Sequence, residues 1–245
     1  MAEADFRLYG SLNDFLPPYR QQRSFPYAFN PPQSVKHLIE ALGVPHPEVA
    51  LILVSGSPVD FHYLVGSGDR VAVYPNAQGL GLATVYPLRP ASPVKFILDN
   101  HLGSLARYMR LVGLDTRYPT EHLPDARLAK ISDGDNRVLL SRDRRLLMRR
   151  NVTHGYCPRS TDGWQQLREV ITQFELQREL EPWRRCAHCN GLLEPVAKEE
   201  IIDQLEPKTR KHYYDFRRCR GCGQIYWKGS HFEKLSHSIE ALFER

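Results

Sequence analysis

Two short segments of this chain share a pattern in which an apolar run stops abruptly at an aspartate. They are residues 94–100 (VKFILDN) and residues 137–143 (RVLLSRD). Runs of this length and composition indicate short buried strands of a parallel sheet. Because the carboxyl ends of parallel strands open on one edge of their sheet, we expect Asp99 and Asp143 to share a crevice there. Paired carboxylates in such a place are what a divalent-metal site requires.

Helical patterns alternate with these strands. Residues 102–113 keep apolar side chains on one helical face and end at Gly113, a residue typical of helix ends. The remaining patterns predict strands over 114–118 and 152–157, and helices over 124–131, 144–150 and 162–180. Strands and helices that alternate at this interval predict an α/β domain with a parallel sheet, which we place at residues 93–180.

Two further acids lie at helix starts in this region. Asp125 opens the second helix and Asp162 opens the last one. Together with Asp99 and Asp143 they form a predicted catalytic group of four acids, able to hold Mg²⁺ or Mn²⁺ because hard cations take carboxylate oxygen. The alternative, a carboxylate that only caps a helix or closes a loop, stays open for each and above all for Asp125 and Asp162. We expect Asp99 and Asp143 to be the metal ligands.

The N-terminal part has a different pattern. Strands are predicted over 6–10, 49–54 and 66–75, and Ser34 is placed to cap a helix that Gly43 ends. Two strands, one helix and further short strands predict a β-grasp domain over residues 1–85. The proline-rich segment 86–93 cannot be helical and indicates an extended linker.

Four cysteines near the C-terminus form two Cys-x-x-Cys pairs, with twenty-nine residues between them. In a chain without a secretory signal this spacing indicates a metal rather than disulfides. Cys186, Cys189, Cys219 and Cys222 therefore predict a closed, structural Zn²⁺ site in a zinc-ribbon domain over 181–245. A helix over 199–205 is expected to fill the long gap. Cys157 stands alone and is expected to be a core thiol.

The basic residues are unevenly distributed. Residues 91–245 hold twenty-seven Lys and Arg against twenty-one Asp and Glu, whereas residues 1–90 hold six against seven. Charge alone fits an RNA partner or an ordinary soluble surface equally well. We call the two Cys-x-x-Cys pairs the first and second knuckle. Around the second knuckle, however, cations alternate with aromatic rings, and single-stranded RNA binding uses both. The predicted RNA contacts are Arg107, Arg110, Arg142, Arg144, Lys211, Arg217 and Arg218.

Apolar runs of about 20 residues, which a membrane helix needs, are absent from the sequence. The first residues carry acids and lack a basic-then-apolar run, so we expect a cytoplasmic protein without a membrane partner. Nothing in the sequence predicts an oligomeric state.

Four segments resemble one ribonuclease family. They are KFILDNHLGSLARYMRLVGLDTRY, LLSRDRRL, CAHCNGLLEPVAKEEI and YDFRRCRGCGQIYWKGSHFEKL. They are similar to the PIN-type ribonucleases named after the C-terminal domain of the Mut-seven exonuclease. The resemblance implies a PIN-like nuclease fold, metal-dependent RNA cleavage, a terminal zinc ribbon and often a ubiquitin-like domain in front. The family acids match Asp99, Asp143 and Asp125, although Ala126 stands where a second acid is frequent and Ser141 replaces the usual Thr.

The expected function is a metal-dependent ribonuclease that hydrolyses RNA phosphodiester bonds, with a tRNA-like structured RNA as the expected substrate. The alternative is a non-catalytic RNA-binding or adaptor protein that keeps the nuclease fold. GDRVAVYP also resembles the last strand of ubiquitin-like sulfur carriers, but the chain continues through residues 76–81 without their terminal Gly-Gly. We therefore expect the ubiquitin-like domain to dock a protein partner or guide the substrate.

Overall fold

The computed structural model describes residues 1–75, 88 and 94–229. The predicted linker 86–93, apart from residue 88, and the segment 76–81 lie outside the described residues. The strands are β1 (Ala2–Leu8), β2 (Phe25–Phe29), β3 (Leu51–Val54), β4 (Ser57–Pro58), β5 (Arg70–Tyr74), β6 (Lys95–Leu98), β7 (Asp115–Arg117), β8 (Val138–Leu140), β9 (Gly155–Tyr156), β10 (Leu193–Val196), β11 (Phe216–Cys219) and β12 (Ile225–Trp227). The α-helices are α1 (Val35–Ala41), α2 (Gly103–Leu111), α3 (Asp125–Gly134), α4 (Arg144–Leu147), α5 (Gly163–Gln173), α6 (Lys198–Ile201) and α7 (Pro207–His212).

Contacts divide the chain into two compact units. The first comprises Met1–Pro93 and Pro124–Cys157, and the second comprises Val94–Leu123 and Pro158–Arg245. The first unit holds the N-terminal sheet together with β8, α4 and β9. The second holds β6, α2 and β7 together with α5 and the cysteine-rich region.

The N-terminal sheet has the strand order β2-β1-β5-β3-β4. β1 and β5 run parallel, and the remaining pairs are antiparallel. Helix α1 begins where Ser34 Oγ accepts a hydrogen bond from the His37 backbone N–H at 3.3 Å, which confirms the predicted cap. This is the predicted β-grasp. The sequence patterns did not predict strand β2, because Pro26 interrupts its pattern. Proline is tolerated in β2 because β2 is an edge strand.

Within the first unit, the ubiquitin-like fold contacts the segment around α4 and β9. His46 Nε2 lies 2.9 Å from the Val152 carbonyl oxygen, and its Nδ1 lies 2.7 Å from Glu40. The Cys157 backbone N–H donates to Glu48 Oε1 at 2.6 Å. His46 and Glu48 are both buried. A buried polar group needs its hydrogen bond to offset lost hydration, so these bonds fix the pairing between the two segments.

Replacing Glu48 by alanine is expected to lower the free energy of unfolding by about 1–3 kcal/mol, because it removes the carboxylate that accepts from the buried Cys157 N–H. The midpoint of urea unfolding measures the effect. Glu48→Gln is the matched control, since its amide oxygen still accepts that bond. Equal loss in both variants would show that the carboxylate charge, rather than the acceptor, is what matters.

The strands of the α/β region pair in parallel, as predicted. β6 pairs with β7, and β8 pairs with β9. The apolar residues of β6 and all of β8 are fully buried. The helices differ in length from the prediction. α3 continues to Gly134, α4 is one turn long, and α5 ends at Gln173 because Glu175 takes a left-handed conformation with φ of +53°.

The cysteine-rich region contains the antiparallel sheet β10-β11-β12. Its small core consists of Val196, Ile201, Leu205 and Phe216, against which Tyr213, Ile225 and Trp227 pack. The helix predicted over 199–205 is α6 followed by a 3-10 turn at Ile202–Gln204, and α7 follows as a second short helix. Within the described residues, helices long and apolar enough to span a membrane are not found.

Candidate metal centres

The four cysteines of the two Cys-x-x-Cys pairs lie together, with all four sulfurs within 4.8 Å of one another. Cys186 Sγ lies 3.6 Å from Cys222 Sγ, and Cys189 Sγ lies 3.3 Å from Cys219 Sγ. Thiolates around a tetrahedral zinc ion at 2.3 Å stand about 3.8 Å apart. The cluster is therefore compatible with a structural zinc ion, and the sequence prediction of these four residues as one group is confirmed.

The backbone turns tightly around the sulfurs. The Cys189 N–H points to Cys186 Sγ at 3.5 Å, and the Gly221 N–H to Cys219 Sγ at 3.3 Å. A Cβ added at Gly191 would come within 2.9 Å of Cys219 Sγ. Gly191 is therefore required for close approach to the sulfur, since a side chain there would push the knuckles apart.

Tyr226 supports the cluster in a way that the sequence did not reveal. Its hydroxyl lies 3.0 Å from Cys186 Sγ, where it donates to a thiolate. Burial raises the pKa of the Cys186 thiol, but the bonds from Tyr226 and from the backbone outweigh that effect and bring the pKa down to about 7. A lowered thiol pKa favours the deprotonated form, which is the form that binds zinc.

The first knuckle is held against α2 by Arg110. Its guanidinium donates to the carbonyl oxygens of His188 at 2.6 Å, Ala187 at 3.3 Å and Thr116 at 2.9 Å. Arg110 is only 5% exposed, and burial lowers its pKa. Three carbonyl acceptors offset the cost of burying the charge. Its predicted RNA contact stays untested, but the structure gives Arg110 a structural role as the link between helix and knuckle.

A second link joins the knuckle to strand β7. The Asn190 side chain accepts from the Thr116 N–H at 3.0 Å and donates to Asp115 Oδ1 at 2.9 Å. Asn190 takes a left-handed φ of +71°, which asparagine tolerates better than most residues. Asp115 also lies 3.5 Å from the Arg185 guanidinium. The edge of β7 and the cysteine-rich region are thus joined by several polar bonds within the second unit.

Asp99 follows β6 directly and is only 6% exposed. Its Oδ1 accepts from the Asn100 backbone N–H at 2.6 Å, and its Oδ2 lies 3.2 Å from His101 Nδ1. A carboxylate this buried needs a cation or several donors to compensate its lost hydration. The position at a strand end agrees with the sequence prediction, whereas its role as a metal ligand is a prediction still.

The other three acids lie at helix starts. Asp143 caps α4, with Oδ1 accepting from the Arg145 and Leu146 N–H groups at 2.8 and 3.4 Å. Asp162 caps α5 through bonds from Trp164 and Gln165 at 3.1 and 2.9 Å. Asp143 therefore caps a helix, a role that the sequence predicted more readily for Asp162. Asp125 is the first residue of α3 and makes no capping bond there.

The remaining predicted RNA contacts differ in their exposure and in the contacts that they make. Arg107, Arg142 and Lys211 are exposed. Arg144 lies over the Phe15 ring at 4.8 Å, and Arg217 donates to the Trp183 carbonyl oxygen at 3.1 Å. Arg218 forms a loose ion pair with Glu200 at 3.8 Å. The aromatic residues differ in the same way: Tyr213 and Trp227 pack against the small core, whereas Tyr214 is 77% exposed.

Comparison with known proteins decides the family. A model of the Mut7-C RNAse domain matches residues 94–239, and a model of the Mut7-C ubiquitin domain matches residues 1–80. The chain belongs to the Mut7-C RNase family. This membership assigns the chain in general terms to ribonuclease-type hydrolases and indicates RNA as its partner. It also agrees with the β-grasp observed in the N-terminal sheet.

Two further comparisons add little to the Mut7-C assignment. Curated proteins provide no match to the chain. Among solved structures, the small archaeal modifier protein 1 of H. volcanii matches at 17% identity with a TM-score of 0.25, over 31% of this chain and 98% of that one. A similarity of this size supports no argument about fold or function.

Proposed function

We propose that this Mut7-C protein is a metal-dependent ribonuclease that hydrolyses RNA phosphodiester bonds, with structured, tRNA-like RNA as its substrate class. In this proposal Asp99 and Asp143 bind Mg²⁺ or Mn²⁺, assisted by Asp125 and Asp162, in a PIN-like domain over 93–180. The cysteine cluster binds a structural zinc ion in the domain over 181–245. The ubiquitin-like domain over 1–85 docks a protein partner or guides the substrate.

The observation that carries the proposal is the burial of Asp99 at the end of β6. Its Oδ1 accepts from the Asn100 backbone N–H at 2.6 Å and from the Asn100 side-chain amide at 3.4 Å, and its Oδ2 lies 3.2 Å from His101 Nδ1. Burying a carboxylate at a strand end costs stability, which favours a functional role for it. A divalent ion would compensate that charge directly.

Asp143 and Asp162 can combine a capping role with metal binding. In each side chain the two capping N–H groups bond to Oδ1. Oδ2 of each has no hydrogen-bond partner within the described part of the chain, so one oxygen is left for a cation. A bound divalent ion would supply Lewis acidity to the phosphodiester and to the attacking water. The backbone bonds keep each carboxylate in one orientation for that ion.

Metal dependence is tested with protein that has been stripped by a chelator and then reloaded with zinc alone. We expect no cleavage of structured RNA in this state and full cleavage after Mn²⁺ or Mg²⁺ is added. Reloading with zinc first separates the catalytic ion from the structural one. Cleavage at the same rate without Mg²⁺ or Mn²⁺ would refute the proposed metal site. Sequencing the RNA ends left by the protein identifies the bond that is cut.

One observation favours the second candidate, a non-catalytic RNA-binding protein. The capping bonds of Asp143 and Asp162 give both acids a structural reason to be present. In that case the same assay gives RNA that is bound but intact with either ion. The two candidates therefore differ in cleavage and agree in binding.

A further inference from the structure

A groove with a volume of about 590 Å³ lies within the second unit. One wall is α2, the second is the loop 118–122, and the third is the first cysteine knuckle. The groove lining includes Asn100, Arg107, Tyr118, Glu121, His122 and His188. The volume is within the range of about 300–1,000 Å³ that is usual for ligand pockets.

We propose that this groove binds a single-stranded nucleotide segment of the RNA substrate and presents its phosphate beside Asp99. The inference rests on the proposed function for its substrate class. It adds a location for the RNA, and it gives the first knuckle the role of a wall of the substrate site. The sequence predicted RNA contacts at Arg107 and Arg110 and around the second knuckle, but it did not predict one at the first knuckle.

The chemistry of the lining fits a nucleotide. Arg107 is exposed and has no ion-pair or hydrogen-bond partner within the described residues, so its guanidinium can pair with a phosphate. Tyr118 provides a ring against which an unstacked base can lie, and exposed His122 and His188 offer further flat groups. Glu121 is the acid of the lining, and its carboxylate can accept from a base amino group.

The groove is already formed without RNA. The Tyr118 hydroxyl donates to the Asn100 carbonyl oxygen at 2.5 Å, which fixes the ring. The Asn100 side chain donates to the Leu123 carbonyl at 2.9 Å and accepts from the Leu123 N–H at 3.0 Å. Arg110 holds the opposite wall through the carbonyls of Ala187 and His188. A site fixed in this way loses little further conformational freedom on binding.

Asn100 also connects the groove to the proposed metal ligand. Asn100 lines the groove, and its backbone N–H donates to Asp99 Oδ1 at 2.6 Å. The groove and the buried carboxylate are therefore one residue apart along the chain. A phosphate bound near Asn100 would therefore lie close to Asp99, and such proximity is what hydrolysis at a bound ion requires.

The test compares Arg107→Gln with Arg178→Gln. Both arginines are exposed and belong to the second unit, but Arg178 does not line the groove. The affinity of each variant for a fluorescent single-stranded RNA is measured at several salt concentrations without added Mg²⁺ or Mn²⁺. We expect Arg107→Gln to weaken binding roughly tenfold and to reduce the salt slope by about 0.7, as for one lost phosphate contact. Arg178→Gln should bind like the unmodified protein.

A second measurement uses RNA that contains a photoreactive uridine. Ultraviolet cross-links are expected in the loop 118–122 and at residues 187–188. Cross-links confined to other segments, together with equal affinities of the two variants, would overturn the groove. Neither measurement requires cleavage. If the protein cleaves RNA with Mn²⁺ while Arg107→Gln binds RNA normally, the groove proposal fails and the nuclease proposal stands. If Arg107→Gln weakens RNA binding and no cleavage is seen, the groove proposal stands and the nuclease proposal fails.

Discussion

Replacing Asp143 by asparagine is expected to lower the rate of RNA cleavage by about 10³-fold or more, while the fold keeps its stability to within about 1 kcal/mol. Asparagine caps a helix as well as aspartate does, so the N–H groups of Arg145 and Leu146 keep their acceptor. The substitution removes the negative charge that a hard cation needs. Each 1.36 kcal/mol of transition-state stabilisation that is lost with the metal lowers the cleavage rate tenfold.

The measurement is single-turnover cleavage with Mn²⁺, paired with urea unfolding of the same preparations. Asp133→Asn is the matched control, since Asp133 is an exposed acid near the end of α3 and does not belong to the proposed metal group. It should cleave normally. If Asp143→Asn cleaves within about threefold of the unmodified protein, Asp143 is only a helix cap. The ion would then have to be held by the other acids, because the protein would still cleave RNA.

Asp162→Asn, made in the same way, separates the helix-capping role of Asp162 from its proposed metal-binding role. Its cap on α5 has the same form as the cap of Asp143 on α4, with Oδ1 accepting two N–H groups. A loss of cleavage in Asp143→Asn alone would assign metal binding to that residue and leave Asp162 as a cap. The structure thus makes asparagine a cleaner probe than alanine at both positions, because alanine would also remove the cap.

Local patterns in the sequence were sufficient for much of this architecture. Ser34 followed by apolar residues at helical spacing predicted α1 and its cap, and the apolar runs before Asp99 and Asp143 predicted β6 and β8. The cysteine cluster was also readable, since two Cys-x-x-Cys pairs specify four ligands by spacing alone. Each of these signals is complete within a few residues. Nothing distant in the chain is needed to interpret them.

The features that local patterns did not reveal depend on distant partners. Arg107 and Arg110 lie three apart and share one helix face, and the sequence predicted an RNA contact for both. Arg110 is buried instead, because its acceptors Ala187 and His188 come more than seventy residues later. Helix α5 was predicted too long, since nothing in the apolar pattern indicates the left-handed turn at Glu175. The hydroxyl of Tyr226 on Cys186 is likewise a long-range contact without a local signal.

Replacing Cys219 by serine is expected to abolish zinc binding and unfold the cysteine-rich region. The four sulfurs form a closed site, and a closed zinc site contributes its binding free energy directly to folding. Among the described residues, the core of the small sheet β10-β11-β12 holds four buried side chains, which is too few to stabilise it alone. We expect zinc content to fall from about one per chain to nearly zero, with loss of the near-ultraviolet circular dichroism of Trp227.

Cys157→Ser is the matched control, because Cys157 is a buried thiol outside the cluster and should leave zinc content unchanged.

The effect of Cys219→Ser should extend beyond the two knuckles. Ala187 and His188 are the acceptors of Arg110 and one wall of the groove, so unfolding of the first knuckle should also weaken RNA binding by at least the factor expected for Arg107→Gln. A Cys219→Ser protein that lacks zinc but binds RNA with unchanged affinity would show that the groove does not depend on the knuckle. Zinc loss with weakened RNA binding connects the metal cluster to the substrate site through Arg110.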